Sequence, residues 1–473
     1  MPPFMPLQIL LLVVVLTAAA FGADAPVHHL HPVAGSQGAT VALSVSGKLD
    51  PWPQQAWVDA PGIVFTAAKT AGKFDVAIAS DAAPGPHLVR FFSEKGVTAP
   101  RFFIVAREPQ IADTEPNDEF KSPQKIPSLP AAICGRLDKG GDVDCFAITL
   151  RRGEQLMARV EAYVLASTFD AMLRVVDADG TLLAFHHDGR TLDPLLLWSA
   201  PRDGEFVVQL MGFVYPATAD VRLTGGEGCV YRLHLEKDGK IGKEAMTGVI
   251  AQALEEGRHP FTAEKGRGYE LQVTAARDGS PLDAWLKIEN QQGKELARND
   301  DAEGSRDPKL TWIAPADGEF TAVIGDVTHR GGADYRYRLS IAQAAPGLAA
   351  TTPAHSLNVA PGKTGEMKVK VTRTNGWKAK LQLAAKNLPE GVSAPDVEVP
   401  AKDGEVTLKF TANADAMPAS QPFQMILRET ETAAEHPVRY MMTTTGENNG
   451  VPQGYTELVI DSTEQLWLTV LQK

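Results

Sequence analysis

A strand–turn–strand unit occurs twice in this chain, and the repeat constrains the fold more than any other feature. The first copy begins near Gly153 and the second near Gly266, and matching residues keep an offset of 113, then of 114. The matching pairs are Gly153 and Gly266, Asp170 and Asp283, Gly180 and Gly293, Asp188 and Asp301, Pro201 and Pro315, Gly204 and Gly318, and Phe206 and Phe320. A constant register with one inserted residue predicts two copies of one β domain in a modular chain.

Period-two alternation of apolar and polar residues extends the β fold to both sides of the repeat. Thr40–Gly47 (TVALSVSG) alternates in this way, and so does Met367–Thr372 (MKVKVT). We therefore expect an all-β chain of tandem β-sandwich or jelly-roll domains. The predicted divisions are a signal peptide at 1–23, a sandwich at 24–107, the two repeats at 108–240 and 246–343, a linker at 344–355, and a last sandwich at 356–473.

The first residues are typical of a targeting segment. Leu7–Leu16 is apolar apart from Gln8, and small residues follow it, although no Lys or Arg precedes it. The run is shorter than a membrane-spanning helix and fits a signal peptide cleaved near Gly22. We expect export, so that the protein is secreted, periplasmic or on the cell surface, and we expect no membrane span.

Composition and motifs exclude several classes of function. The chain of 473 residues has a formal net charge of −12. A nucleic-acid partner is not expected, because phosphate binding needs a basic face. The sequence contains no G-x-S-x-G, H-E-x-x-H, P-loop or dinucleotide fingerprint. The sandwiches leave no span of catalytic-domain length, so no enzyme is expected.

The three cysteines allow two interpretations. In an oxidising compartment Cys134 and Cys145 could pair and leave Cys229 free. Equally, all three could be small buried apolar residues.

Two other sets of residues suggest binding sites but are better explained by structure. Trp198 and Trp312 could form a sugar-binding platform, yet they alternate with apolar neighbours, which favours core packing. His28, His29 and His31 could bind a metal, but a frayed, solvated terminus is the favoured interpretation.

The segment before the first repeat is dense in oxygen ligands. Residues 113–119 read DTEPNDE, and such carboxylate and amide oxygens can wrap a hard cation. The alternative is a solvated acidic linker.

Motifs in the first repeat resemble the bacterial pre-peptidase C-terminal domain family. They are EPND, then GDVDCF, then D-x-x-L-x-V-x-D-x-x-G, and then G-E-F, and the match covers nearly all of residues 113–237. Members of this family are β-sandwiches or jelly rolls appended to secreted proteases and other exported proteins. The second copy has GRHPFT at 257–262 where the first has GDVDCF, and no EPND precedes it, so it resembles a degenerate member.

The resemblance implies a calcium site in the first repeat. Some family members bind calcium through this acidic linker and the GD-x-D turn, which here assigns the ligands Glu115, Asn117, Asp118, Asp142 and Asp144. The competing interpretation is that Asp142 and Asp144 only shape and solvate a hairpin turn.

The flanking regions resemble immunoglobulin-like modules of exported bacterial proteins. The first region, at 83–105, reads APGPHLVRFFSEKGVTAPRFFIV, and the other covers Asn358 to Arg428. Together the resemblances imply a non-catalytic binding or adhesion protein whose partner is an extracellular polysaccharide or protein. The alternative is an accessory or degenerate partner of a secreted peptidase.

Overall fold

The computed structural model describes residues 29–47, 49–187, 192–214, 222–237, 248–302, 305–443 and 459–472. In this part of the chain, β-strands form eight sheets that pack in pairs as four sandwiches, and two short 3-10 turns are the helical elements. The prediction of an all-β chain of tandem sandwiches is confirmed. Among these residues no helix is long and apolar enough to span a membrane. The predicted signal peptide lies outside the described residues.

The first sandwich has nine strands. They are β1 (Leu30–His31), β2 (Ala34–Ser36), β3 (Thr40–Val45), β4 (Gln55–Val58), β5 (Ile63–Ala67), β6 (Lys73–Ile78), β7 (Gly85–Ser93), β8 (Gly96–Val97) and β9 (Arg101–Ala106). One sheet has the order β1-β3-β6-β5 and the other β2-β9-β7-β4, with β8 beside β7. Residues of β6 alternate between exposed and buried, which places Phe74, Val76 and Ile78 in the core between the sheets.

The expectation of a frayed terminus at His29 and His31 was wrong. β1 pairs with β3 in antiparallel register, and His29 is buried. The backbone N–H of His29 donates to Ser46 Oγ at 2.8 Å, so this segment belongs to the sandwich. His28 lies outside the described residues.

The first repeat has ten strands and a 3-10 turn at Tyr163–Leu165. The strands are β10 (Gln110–Ala112), β11 (Gln124–Lys125), β12 (Ala131–Arg136), β13 (Asp144–Leu150), β14 (Gln155–Glu161), β15 (Phe169–Val176), β16 (Leu182–His186), β17 (Leu195–Ser199), β18 (Gly204–Val214) and β19 (Val230–Lys237). Its sheets have the orders β10-β12-β19-β14-β17 and β11-β13-β18-β15-β16. β10 and β11 are short edge strands that pair in parallel with β12 and β13.

The second repeat has eight strands and a 3-10 turn at Ala276–Asp278. The strands are β20 (Gly248–Val249), β21 (Gly257–Ala263), β22 (Gly268–Thr274), β23 (Ala284–Glu289), β24 (Glu295–Asn299), β25 (Lys309–Ile313), β26 (Gly318–Asp326) and β27 (Arg336–Gln343). Its sheets, β20-β27-β22-β25 and β21-β26-β23-β24, keep the order of the first repeat without the two edge strands. The second copy thus retains the sandwich and lacks the acidic edge, as the sequence comparison predicts.

The last sandwich has twelve strands. They are β28 (Gly347–Thr352), β29 (Ser356–Val359), β30 (Thr364–Thr374), β31 (Leu381–Lys386), β32 (Val392–Ser393), β33 (Val397–Val399), β34 (Gly404–Ala412), β35 (Ala419–Glu429), β36 (Glu435–Pro437), β37 (Arg439–Thr443), β38 (Val459–Thr463) and β39 (Leu466–Val470). The sheet orders are β32-β34-β30-β28-β37-β38 and β29-β39-β35-β31-β33, with β36 beside β35.

The predicted linker at 344–355 was wrong in its central part. Residues 347–352 form β28, which pairs with β30 in antiparallel register, from Gly347 opposite Thr374 to Thr351 opposite Lys370. Ala350 and Thr352 are buried, and Ala350 packs in the core of the last sandwich. The last sandwich therefore begins before residue 356, its predicted start.

A buried aspartate supports the same turn in both repeats. Asp193 accepts hydrogen bonds from the backbone N–H groups of residues 162, 163 and 164 at 3.0, 2.7 and 3.4 Å. Asp307 accepts them from residues 275, 276 and 277 at 2.9, 2.7 and 3.1 Å. Each carboxylate satisfies the N–H groups at the start of a 3-10 turn, so its role is to determine the fold.

The first and last sandwiches are in direct contact. Arg90, which is fully buried, donates from Nη1 to His355 Nδ1 at 3.1 Å and from Nη2 to the Gln465 carbonyl oxygen at 2.8 Å. Burial lowers the pKa of His355 to about 3, so the neutral imidazole can accept this hydrogen bond. Trp57 and Phe92 pack on Trp467 with ring centroids 5.9 and 4.9 Å apart. The two ends of the described chain are thereby held together.

The cysteines and the repeated tryptophans are structural. All three cysteines are free and buried, and Cys134 and Cys145 pack in separate apolar clusters, so the disulfide interpretation was wrong. Trp198 packs edge-on against Phe206 at 4.9 Å, and Trp312 packs in the same way against Phe320 at 4.8 Å. Core packing, rather than a sugar platform, explains the repeated tryptophans.

Candidate cation site

The acidic segment, residues 113–123, crosses the end of the first repeat. It leaves β10 in one sheet and enters β11 in the other, so it passes over the turn between β12 and β13. Two backbone hydrogen bonds fix its path, from the Asp113 N–H to the Cys134 carbonyl at 3.0 Å and from the Cys145 N–H to the Asn117 carbonyl at 3.2 Å. This path brings the acidic segment next to Asp142 and Asp144.

The structure places the five predicted ligands in one cluster and adds a sixth. Carboxylate oxygens of Asp113, Glu115 and Asp144 lie within 4.8 Å of one another, and so do those of Glu115, Asp118 and Asp142. Glu115 belongs to both groups. Asn117 lies among them, because its Nδ2 donates to Asp113 Oδ1 at 2.8 Å and its backbone N–H donates to Glu115 Oε2 at 3.1 Å.

Four buried side-chain oxygens in this cluster have no hydrogen-bond donor. They are Asn117 Oδ1, Asp118 Oδ1, Asp142 Oδ1 and Asp144 Oδ1. The side chains of Asn117, Asp142 and Asp144 are fully buried. A buried acceptor without a donor costs about 1–3 kcal/mol, and more when the group is charged, so four together require a compensating partner.

In Asp118, Asp142 and Asp144, the second carboxylate oxygen is held by a neighbouring donor. Asp142 Oδ2 accepts from the backbone N–H of Asp138, and Asp144 Oδ2 accepts from the Tyr231 hydroxyl. Asp118 Oδ2 pairs with Lys139 Nζ at 2.9 Å. The same Nζ lies 3.9 Å from Asp142 Oδ1, beyond hydrogen-bonding distance. The three carboxylates are therefore held in fixed orientations, each with one oxygen left to bind.

This donor set fits a calcium ion. Ca²⁺ takes about six to eight oxygen ligands at about 2.3–2.6 Å, so oxygens on opposite sides of the ion are separated by about 4.8 Å. The six side chains offer carboxylate and amide oxygens only, and neither imidazole nor thiolate, which disfavours zinc and copper. Five carboxylates against one ammonium leave a negative charge that a divalent cation would balance.

The carboxylates oppose one another's ionisation when no cation is bound. Burial raises the pKa of Asp144 to about 9, and the charge of Asp113 adds to this effect. Burial also raises the pKa of Asp142 and of Asp113 to about 6. A protonated Asp142 can donate to the Asp118 carboxylate, and this interaction, together with Lys139, lowers the pKa of Asp118. A bound cation would favour the ionised form of every one of these groups.

The second repeat shows what the same position looks like without the acids. Gly257, which follows Asp144 by 113 residues, occupies the equivalent position on β21. Tyr337 is likewise the equivalent of Tyr231. The Tyr337 hydroxyl hydrogen-bonds His259 Nε2 at 2.8 Å instead of a carboxylate. A Cβ added at Gly257 would lie 1.8 Å from that hydroxyl oxygen, so the tyrosine fills the space. In the part of the chain that the structure describes, both groups of three candidate ligands belong to the first repeat.

Sequence reasoning missed three contributors to this site. Asp113 opens the acidic run and could have been included from that position alone. Lys139 lies in the turn before Asp142, and its pairing with Asp118 depends on the fold. Tyr231 is distant in sequence from the acidic residues. The structure pairs it with Gly135, as it pairs Tyr337 with Gly248, so the recurrence of this tyrosine in both repeats is the sequence signal that could have pointed to it.

Comparisons with known proteins establish no family. No family model matches the sequence. No curated protein matches it either. Among solved structures, the chain is similar to alpha-2-macroglobulin of Escherichia coli activated by porcine elastase, with 12% identity, a TM-score of 0.16, and coverage of 88% of this chain and 44% of that one. The N-terminal four Ig domains of Dscam1 isoform 4.4 match at 12% identity and a TM-score of 0.18, covering 86% of this chain and 96% of that one.

Fibronectin(III)-like modules of Clostridium thermocellum CbhA match at 9% identity and a TM-score of 0.14, covering 38% of this chain and 93% of that one. The chain spans less than half the length of the alpha-2-macroglobulin. The fold and the site define a multidomain β-sandwich protein with an acidic oxygen cluster in its first repeat.

Proposed function

We propose that this chain is a non-catalytic, exported binding or adhesion protein whose first repeat is stabilised by calcium. One observation supports the calcium part of the proposal: four buried oxygens without donors belong to the residues clustered where the acidic segment meets the β12–β13 turn. In this proposal the first repeat is a pre-peptidase C-terminal domain and the second a degenerate copy of it.

The chain's own residues would form the cation site as follows. Asp142 and Asp144 supply the rigid side, because the Asp138 N–H and the Tyr231 hydroxyl hold their second oxygens. Glu115, Asn117 and the other acidic-segment ligands supply the side that closes over the ion. Bound calcium would supply the positive charge that offsets the repulsion among these carboxylates. Its effect would be to tie the acidic segment to the β12–β13 turn.

The binding role rests on the composition of the chain from sandwich modules. Immunoglobulin-like modules present loops and sheet faces to a partner on a rigid scaffold. Among the clustered carboxylates of the described residues, Asp113 accepts from Asn117, Asp142 from the Asp138 N–H and Asp144 from the Tyr231 hydroxyl, which suits a role as fixed oxygen ligands. The partner is an extracellular polysaccharide or protein, and a secreted peptidase is one protein to be tested.

A retention assay tests the proposal. The chain from residue 24 onward is passed over insoluble polysaccharides, cell-wall preparations, collagen-like protein and an immobilised secreted peptidase, in calcium and in EDTA. We expect retention on one of these materials, weakened in EDTA and in the Asp142→Asn variant. The matched control is Glu255→Gln, the equivalent position of the second repeat, which should be retained like the parent chain. Turnover of a peptide or glycoside substrate that is lost on replacing one acid would contradict the proposal.

A further inference from the structure

A fully buried guanidinium lies in the contact between the first and last sandwiches. It belongs to Arg90 on β7 of the first sandwich, and both of its acceptors belong to the last sandwich. Nη1 donates to His355 Nδ1 at 3.1 Å, and Nη2 donates to the Gln465 carbonyl oxygen at 2.8 Å. In these two hydrogen bonds the cation meets neutral acceptors, whereas a buried charge is ordinarily paired with an opposite one. The contact therefore depends on the imidazole remaining uncharged.

The geometry of the hydrogen bond fixes the protonation state of His355. A guanidinium can only donate, so His355 Nδ1 accepts with its lone pair and the single ring proton is on Nε2. A second proton would have to enter on Nδ1, where the Arg90 donor already lies 3.1 Å away. Protonation therefore replaces an attractive hydrogen bond with two cations that repel each other.

The surroundings of His355 give no support to an added proton. Arg90 on β7 and Arg101 on β9 are the charged groups that act on the imidazole, and both are positive. The ring of Tyr440 on β37 packs edge-on against His355, with centroids 5.4 Å apart. In the turn between β38 and β39, the Glu464 carboxylate is hydrogen-bonded at 3.4 Å to a glutamine side chain of β35. Burial and the two guanidinium charges lower the pKa of His355 to about 3.

The other interactions between the two sandwiches are made by uncharged groups. Trp57 and Phe92 pack on Trp467, with ring centroids 5.9 and 4.9 Å apart. The Asn358 side-chain amide donates to the Lys95 carbonyl oxygen at 3.5 Å. Aromatic rings and amides do not titrate in mild acid. Among these interactions, the hydrogen bond between Arg90 and His355 is the one that a proton disrupts.

We propose that the contact between the first and last sandwiches is a pH-dependent switch, closed at neutral pH and released in mild acid by protonation of His355. Release separates the two sandwiches while each keeps its own fold, because the proton enters at the contact and outside either core. The buried face of Trp467 then becomes accessible. The inference goes beyond the proposed function and does not depend on calcium or on the identity of a partner.

The size of the response follows from the linkage between the proton and the contact. In the released state water surrounds His355, so its pKa returns to about 6.5. The released state therefore binds the proton more tightly than the closed state does. The closed contact is fully favoured above about pH 6.5, and the ratio of released to closed molecules rises about tenfold for each pH unit below that value, down to about pH 3. From about pH 7.5 to about pH 4.5 the ratio rises about a hundredfold.

Small-angle X-ray scattering of the chain from residue 24 onward, at about pH 7.5 and about pH 4.5, tests the switch. We expect the radius of gyration of the parent chain to increase at the lower pH. His355→Gln keeps an acceptor for Arg90 and removes the group that titrates, so its radius should be the same at both pH values. The matched control is His259→Gln, because His259 lies on β21 of the second repeat and hydrogen-bonds Tyr337 at 2.8 Å. This control should expand like the parent chain.

Two results would overturn the inference. They are an unchanged radius of the parent chain at the lower pH, and equal expansion of His355→Gln and the parent chain. Circular dichroism shows whether the sandwiches stay folded, and if the parent chain unfolds at the lower pH the comparison is made at about pH 5.5, where the ratio has risen about tenfold.

A second variant keeps the test decisive if His355→Gln does not fold. In Arg90→Gln the amide can still donate to His355 Nδ1, and the charge that opposes protonation is gone. The expansion of this variant in acid should therefore be smaller than that of the parent chain. Equal expansion would show that the Arg90–His355 pair does not control the contact.

Discussion

The buried aspartate beneath the 3-10 turn of the second repeat makes a severe test of the fold. Asp307 is fully buried and accepts three backbone hydrogen bonds, from Ala275, Ala276 and Arg277, at 2.7–3.1 Å. It also pairs with Arg277 Nε at 2.8 Å. Asp307→Ala removes every one of these acceptors and adds none.

The magnitude follows from the burial of the donors. The Ala275 and Ala276 N–H groups have no route to bulk water, and each unsatisfied donor costs about 1–3 kcal/mol. The third donor, from Arg277, is half-buried and should recover part of its hydration. We therefore expect a loss of about 4 kcal/mol in the free energy of unfolding of the second repeat. At about 4–8 °C per kcal/mol for a domain of this size, its midpoint falls on the order of 15–30 °C.

Differential scanning calorimetry of the whole chain measures this shift in the transition of the affected domain. The matched control is Asp317→Ala in the same repeat, because Asp317 is exposed and accepts one backbone hydrogen bond, from Lys265 at 2.7 Å. That variant should lose less than about 1 kcal/mol. Equal small shifts for the two variants would refute the view that the repeated aspartate determines the turn.

Three further predictions concern the first repeat and the contact between the outer sandwiches. Tyr231→Phe removes the hydroxyl donor to the cation site, so calcium affinity measured by calorimetry should fall about tenfold, whereas Tyr337→Phe should leave it unchanged. Burial raises the pKa of Asp193 to about 7, compared with about 3.9 in the unfolded chain. The folded state therefore holds this proton more tightly, and the contribution to the free energy of unfolding is complete below about pH 4 and is lost as pH rises through about 7. Denaturant unfolding in calcium at several pH values should show this loss in the parent chain and less of it in Asp193→Asn; identical pH profiles would contradict the assignment. A double-mutant cycle of Phe92→Ala and Trp467→Ala should give a coupling of about 0.5–1.5 kcal/mol from the ring contact, and additive effects would mean that the two sandwiches do not touch in solution.

The strands were predictable because their signal is local and occurs twice. Period-two alternation places one face of each strand in a core, and the second repeat gives an independent copy of the same pattern. The edge strands β10 and β11 were not predictable, since they have three and two residues, too few to show a period-two pattern. β28 was missed because its Gly and Ala residues give a weak strand signal, and pairing with the neighbouring strand β30 is what places it in the sheet.

The site was predictable in its residue types and not in its completeness. Glu115 to Asp118 and Asp142 to Asp144 are short acidic runs, so the sequence suggested oxygen ligands and the structure brings the two runs together. The supports of the site come from long-range pairing. Tyr231 reaches Asp144 across 87 positions of sequence, and no local pattern indicates such a contact. His29 was misjudged for the same reason, because pairing of β1 with β3 buries a residue that composition alone would leave in solvent.

Calcium titration by isothermal calorimetry tests the central claim most directly. The chain from residue 24 onward is compared with Asp144→Asn and with Glu255→Gln, which alters the equivalent edge of the second repeat. The account predicts saturable binding heat and a rise in the midpoint of the first repeat for the parent chain and for Glu255→Gln, with both effects lost in Asp144→Asn. Absence of heat and of any midpoint shift in the parent chain, or equal binding by Asp144→Asn, would contradict it.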